Sequence, residues 1–322
     1  NEREFCFALH RRLGRNAHMV VPTPKHAISE ISNYAVTMVP TDSPSNPWLF
    51  ARHQMSLYFI LGKLLATNDF DLVATRPGLL PIGLALVLKK TRIPYAIKHL
   101  NGHPRDFVHV QRGLKRYAAE IVALFNTPLL SSLAKTAIIA DSCTQGHYDG
   151  VLKNLGVSPE KVMIVENGTN TERFTPVDSE EARRAVGLDR FDTIIGYAGG
   201  RPWERGASEL VEIAPLLIRR FNKLGFVILG DGCGMPTLKK RIHEANLGGH
   251  FVFTGEIPYE KVPRYVCAFD IGIAFDRTDR IQKVGNSNQK IRQYIACGKP
   301  VVATAGGNQF IIDHELGSIV DV

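Results

Sequence analysis

Cysteine is scarce and scattered: five in 322 residues, at Cys6, Cys143, Cys233, Cys267 and Cys297, with no CxxC pair. An odd count dispersed through apolar segments argues against a disulfide framework and offers no zinc-ligand spacing, and it suits a reducing cytoplasm. Long apolar runs are also lacking. A run such as Leu79 to Leu88 (LLPIGLALVL) falls well short of the ~20 residues a membrane helix needs, so no span is expected. No basic run is interleaved with aromatics, so nucleic acid is not an expected partner.

Charge of one sign is not lacking, but it is uneven. The chain carries a net +8; residues 1–176 hold 20 Lys and Arg against 13 Asp and Glu, and residues 177–322 hold 19 against 18. A half this basic is drawn to an anionic lipid surface or a phosphorylated acceptor, each well-placed cation contributing about 1 kcal/mol. Two readings stay open: a solvated surface that runs positive, and peripheral association with an anionic membrane at its inner face.

What is present is α/β alternation, with 44% hydrophobic residues, enough to fill the cores of two domains. The chain is organised around Val284 to Ala303, VGNSNQKIRQYIACGKPVVA. Asn286, Ser287 and Asn288 are helix-capping residue types, Ile291, Tyr294 and Ile295 recur at helical spacing, Gly298 ends the helix, and Pro300-Val301-Val302 opens a strand. A helix N-terminus is thereby placed at the carboxyl end of the strand Asp270 to Phe275, where open α/β sheets bind anionic ligands. A helix lysine such as Lys290 ordinarily faces solvent.

Other strand exits carry chemistry-bearing residues. His99 and His103 follow the strand Ile93 to Lys98, and an amphipathic helix is expected from Asp106 to Phe125. Gly199-Gly200-Arg201-Pro202-Trp203-Glu204-Arg205-Gly206 follows the strand Thr193 to Ala198. Its glycines admit a diphosphate to the backbone, and its two guanidinium groups can neutralise it. Phe226 to Leu229 opens on Gly230-Asp231-Gly232, a poor match to a dinucleotide loop because the third glycine comes one residue early. Phe251 to Glu256 leads into Ile257 and Pro258. Asn167-Gly168 reads as a turn needing positive φ, and Phe174 as a wedge between domains.

The motif K-x-x-x-Y-x-A-x-G-K-P-V, carried by Lys290, Tyr294, Ala296, Gly298, Lys299, Pro300 and Val301, resembles the donor-site helix of GT-B glycosyltransferases of family 4. So do ADS at residues 140–142 and LGVSPEKVMIVENGTNTERFTP at residues 155–176. The resemblance implies two Rossmann-like, doubly wound parallel-sheet domains facing a cleft. Residues 1–176 would bind the acceptor and residues 177–322 the donor, with the family's first strand and closing helices falling outside this stretch.

It further implies a retaining transfer from a nucleotide-sugar such as a UDP- or GDP-sugar to a glycan or lipid-linked acceptor, without a metal. Arg201, Arg205, His99 and His103 take catalytic roles. Gly199, Gly200, Gly230, Gly232, Glu256, Ile257, Asn286, Ser287, Asn288, Lys290 and Gln293 take donor-binding roles. The sequence departs from the family at two positions that usually carry Glu, here Gly285 and Gln293. That keeps open a catalytically weak or inactive binding module, and an epimerase on the same fold is a third reading.

Overall fold

In the computed structural model, which describes residues 12–13, 17–22, 35–39, 46–98, 113–141, 148–200, 202–203, 205–232, 234–276, 288–306 and 308–320, the described chain forms two units that part between Val165 and Glu166. Residues 166–176, assigned with the first domain from the sequence, fall in the second unit.

In the first unit, β1 (His18–Pro22) and β2 (Ala35–Val39) pair in parallel. A second sheet holds β3 (Val73–Thr75), β4 (Tyr95–Lys98), β5 (Ile138–Asp141) and β6 (Val162–Ile164) in that order, all parallel. The helix Pro47–Thr67 starts where the sequence signals it. Pro47 stands in the first turn, and the Asn46 side chain accepts from the Trp48 and Leu49 N–H groups at 3.1 and 3.2 Å.

The helix expected over 106–125 runs instead over Leu114–Thr136, through Pro128; residues 106–112 lie outside the described residues. Ala119, Ala123, Leu130, Leu133 and Ala134 are buried at helical spacing along it. That burial outweighs the roughly 3 kcal/mol that an internal proline costs. Among the described residues, the stretch Arg116–Thr136, rather than Leu79 to Leu88, is long and apolar enough to cross a membrane by length and composition alone. With its core-facing stripe buried, the helix serves as a layer of the α/β unit. Its opposite side leaves Tyr117, Ile121, Leu124 and Phe125 exposed.

The second unit is one sheet of β7 (Thr193–Ala198), β8 (Leu224–Leu229), β9 (Phe251–Gly255), β10 (Ile271–Ala274), β11 (Val301–Thr304) and β12 (Gly317–Val320). Its order is β12-β11-β10-β7-β8-β9, parallel throughout. The chain starts in the middle at β7, moves outward through β8 and β9, then returns to the other side of β7 with β10. The strand order therefore reverses between β7 and β10, and ligands of doubly wound folds bind at such a switch point. β8 (LGFVIL) is buried along its whole length, as a central parallel strand covered on both faces requires.

One close approach fixes the helix that matters most. Gly272 of β10 has no side chain, and a Cβ there would stand 2.3 Å from the ring of Tyr294. Tyr294 lies on the helix Gln289–Ala296, is fully buried, and packs edge-on to Phe269. Its hydroxyl accepts from the Ala198 N–H at 2.7 Å, at the end of β7. Burial pushes the Tyr294 phenol well above its ordinary pKa, so it stays neutral and keeps that bond.

Two local expectations are corrected. Neither Asn167 nor Gly168 takes positive φ; the turn there is instead held by Asn170, whose side chain accepts from the Glu172 and Arg173 N–H groups. Phe174 is buried inside the second unit's own core and meets Tyr259 edge-on at 5.8 Å, because the segment after Glu166 belongs to that unit. Cys267 and Cys297 are free thiols buried in the same core.

Gly272→Ala is expected to force Tyr294 off β10 and to destabilise the second unit by about 1–3 kcal/mol. Urea denaturation would show this as a lower midpoint, and an unchanged midpoint would mean the helix does not depend on that contact.

Candidate functional site

The carboxyl ends of β7 and β10 and the N-terminus of the helix Gln289–Ala296 meet at the switch point. β7 delivers Gly199 and Gly200 and, a turn later, Arg205. β10 delivers Phe275 and Asp276. The helix delivers Asn288 at its start and Lys290 within its first turn.

Asp276 is the carboxylate at the centre, and reading the sequence did not single it out. It is buried, its N–H donates to Thr304 Oγ1 at 2.9 Å, and Thr304 donates back to its carbonyl at 3.0 Å. Asn288 Nδ2 donates to Asp276 Oδ2 at 2.7 Å. Arg205 Nε faces Asp276 Oδ1 at 3.4 Å. The only sequence signal was position, as the second residue past the end of β10.

Lys290 departs from the solvent-facing habit of helix lysines. Its Nζ is buried, 4.0 Å from the centre of the Tyr197 ring, and accepted by no oxygen of the described residues. Burial pushes its pKa down to about 7; the neighbouring Arg205 pushes the same way, and Asp276 pulls it back up. Arg205 Nε and Asp276 Oδ1 also lack a hydrogen-bond partner, since their ion pair is not aligned as one. Buried polar atoms are nearly always satisfied. Here, among the described residues, two buried donors on cations lie without an aligned acceptor, an arrangement that can receive an anionic oxygen.

The backbone around them is bare. Gly199 has φ +154, and a Cβ on it would lie 2.9 Å from Tyr197 Oη and 3.6 Å from Lys290 Nζ. Gly230 packs on the same loop: a Cβ there would stand 2.5 Å from the Gly199 carbonyl oxygen. Gly200 and Gly232 are exposed. Asn288 occupies the helix-capping position, yet its side chain is engaged by Asp276 and makes no capping bond. The expectation of a side-chain cap is thus corrected, and no Asn288 oxygen closes off the helix N–H groups.

Gln293, at the usual Glu position, is buried and reaches Tyr259 Oη at 3.4 Å. Ile257 packs against the core and Glu256 is exposed beside it. Arg292 pairs with Glu166 and Gln289 reaches the Gly168 carbonyl, so the helix is also tied to the segment that enters the unit. His99, His103, Arg201, Gly285, Asn286 and Ser287 lie outside the described residues. Among the described residues no three His, Cys, Asp or Glu side chains converge as a metal site. The sequence does contain one Asp-x-Asp spacing, Asp69-Phe70-Asp71; both carboxylates are exposed ahead of β3.

With this geometry, residues 192–322 match the family described as Glycosyl transferases group 1. The carboxyl-terminal stretch is similar to a group 1 glycosyltransferase domain. Over 162 residues, 48% of this chain and 41% of the relative, this chain is 28% identical to the GDP-mannose-dependent alpha-(1-6)-phosphatidylinositol monomannoside mannosyltransferase of Mycolicibacterium smegmatis. Over 120 residues, 36% of this chain and 31% of the relative, it is 26% identical to the 2-deoxystreptamine glucosyltransferase of Streptomyces kanamyceticus. It thus spans less than half the length of these curated relatives.

Among solved structures, HepE of Anabaena in complex with UDP and glucose superposes with a TM-score of 0.68 at 16% identity, covering 99% of this chain and 82% of that one. WaaG, a glycosyltransferase involved in lipopolysaccharide biosynthesis, gives 0.69 at 16% identity with the same coverage. The fold is that of the GT-B glycosyltransferases.

Lys290 binds fewer protons in the folded state than unfolded between its lowered pKa of about 7 and its ordinary value near 10.4, so stability contributed at this position rises with pH across that window. Lys290→Met removes the buried charge. It is expected to raise the Tm of the ligand-free protein by several degrees at pH 6–7, at about 2–4 °C per kcal/mol. The gain should shrink toward pH 10, as paired scanning calorimetry of parent and variant would record. An equal gain at both ends would mean the ammonium is not desolvated.

Proposed function

We propose that this chain transfers a sugar from a nucleotide-diphosphate donor to a glycan or lipid-linked acceptor, with retention at the anomeric carbon. The observation that carries this is the pair of buried cationic donors without acceptors, Arg205 Nε and Lys290 Nζ, at the switch point of a group 1 glycosyltransferase domain. As the sugar–phosphate bond breaks, negative charge grows on the departing diphosphate, and donors already aimed at that position lower the barrier without reorganising. Arg205 supplies a forked, permanently charged donor; Lys290 supplies a second cation; the uncapped N-terminus of the helix Gln289–Ala296 supplies backbone N–H groups and the positive end of its dipole.

Gly199 and Gly200 let the diphosphate approach the main chain, while Gly230 and Gly232 with Glu256 and Ile257 border the nucleotide. Arg201 is assigned to the same diphosphate, and His99 and His103 to the acceptor side. Charge neutralisation by these side chains makes a metal unnecessary in this reading, so EDTA should leave turnover unchanged. Gln293 offers a ribose hydroxyl a neutral partner where relatives offer a carboxylate, at a cost of about 1 kcal/mol. The relatives' donors divide between GDP-mannose and UDP-sugars by name, so either base suits the proposal.

Thermal stability against UDP-, GDP-, ADP- and dTDP-sugars, with Arg201→Ala and Arg205→Ala beside the parent, tests this. One nucleotide should raise the Tm of the parent, and either substitution should weaken its binding about 10- to 100-fold, the loss of a charge-assisted hydrogen bond. No shift with any nucleotide would remove the donor reading. Binding with no transfer to any acceptor would assign the chain as a binding module.

A cytoplasmic enzyme working at the inner membrane face fits the basic first half and the exposed Tyr117, Ile121, Leu124 and Phe125 on one helix. Co-sedimentation should favour liposomes containing anionic lipid over zwitterionic ones and fall with salt. Equal, negligible sedimentation with both would exclude membrane association.

A further inference from the structure

We propose that Lys290 couples anion binding to proton uptake: its buried amine, which no acceptor among the described residues engages, takes a proton from solvent when the donor diphosphate arrives. This rests on the donor reading above and adds a regulation to it.

The geometry is that of a cation without a counterion of its own. Among the described residues, the groups facing Lys290 come from three elements besides its helix. β7 presents the face of the Tyr197 ring at 4.0 Å. The loop after β7 presents Gly199, which has no side chain to offer, and Arg205, a like charge. The exit of β10 presents Asp276, the one carboxylate, already divided between Arg205 and Asn288. On its own helix, the Tyr294 hydroxyl is taken by Ala198.

A buried ammonium in such company sheds its proton easily, which agrees with a value of about 7 in the empty site. A diphosphate laid across Arg205 and Lys290 reverses the balance. It brings two negative charges and oxygen acceptors to Nζ, so the protonated form becomes the stable one and the proton is drawn from solvent. The bond count is simple: one N–H bond forms on Nζ, and buffer gives up the proton.

Linkage fixes the sign. Binding is tightest below the empty-site pKa and weakens as pH rises through it, because each bound diphosphate must then recruit a proton. For one such group with a bound-state pKa above 9, affinity falls about 25-fold between pH 6.5 and 8.5, and about half a proton is taken up at pH 7. A nucleotide-sugar is the right probe, since its diphosphate diester has no titration of its own in this range. Sulfate, likewise untitrated, is the probe for the anion site without the nucleotide.

Titration calorimetry of UDP-glucose and GDP-mannose in HEPES and Tris, from pH 6.5 to 8.5, gives affinity and proton uptake together; sulfate is followed by Tm over the same range. The parent should show the fall and the uptake. Lys290→Arg, charged throughout, should bind with no pH slope. Lys290→Met should bind weakly, also without slope, and serves if the arginine does not fit. A nucleotide-sugar that binds the parent and the variants with the same pH dependence overturns the proton coupling and leaves the donor reading intact. Sulfate stabilisation with a Lys290-dependent slope, but no nucleotide-sugar binding, sustains the coupling and removes the donor reading. Binding of neither probe overturns both.

Discussion

The contact on which the second unit depends is that of Tyr294 with Gly272. A tyrosine ring lies flat where β10 has no side chain, and its hydroxyl takes the N–H at the end of β7. One side chain thereby ties a helix to two strands on either side of the chain's reversal. Because helix and strands are then fixed in rotation as well as position, Lys290, one turn before Tyr294, is directed inward over Tyr197, and Asn288 is brought within reach of Asp276. The placement of these charged and polar groups is a consequence of this packing, in which a missing Cβ decides where a helix rests.

The site itself is a small electrostatic imbalance held in a dry place. Asp276 steadies Arg205 and Asn288 but does not complete either the guanidinium or the ammonium. A fully paired cluster would be more stable and would have nothing left with which to hold a ligand. The fold tolerates two unsatisfied donors because the surrounding core, with β8 buried throughout and Tyr294, Ile291 and Phe269 fully enclosed, supplies the stability that this corner lacks.

Much of the second unit was legible in the residues. Alternation of apolar strands with capped, amphipathic helices gave β7 to β12 nearly at their observed bounds, and the polar turn before Gln289 pointed to the strand exit where Asp276 meets Asn288. The first unit was less legible. The amphipathic pattern suggested a helix ending at Phe125, whereas the buried stripe from Ala119 to Ala134 carries the helix on to Thr136. The assignment of Phe174 failed for another reason: a single aromatic gives no periodicity, and only three-dimensional neighbours reveal which core it enters.

The sequence by itself determined the fold class, the glycine-rich strand exits and the identities of Arg205, Lys290 and Gln293 as candidates, because periodicity and turn chemistry are local properties that residues carry with them. Tertiary structure alone decided that Asp276 meets Arg205 and Asn288, that Asn288 turns away from capping to bind it, and that Lys290 is buried with no hydrogen-bond partner among the described residues. These are facts about desolvation and about charges brought together from residues 197 to 290, and neither burial nor the Coulomb field at a point is encoded in any short stretch of chain.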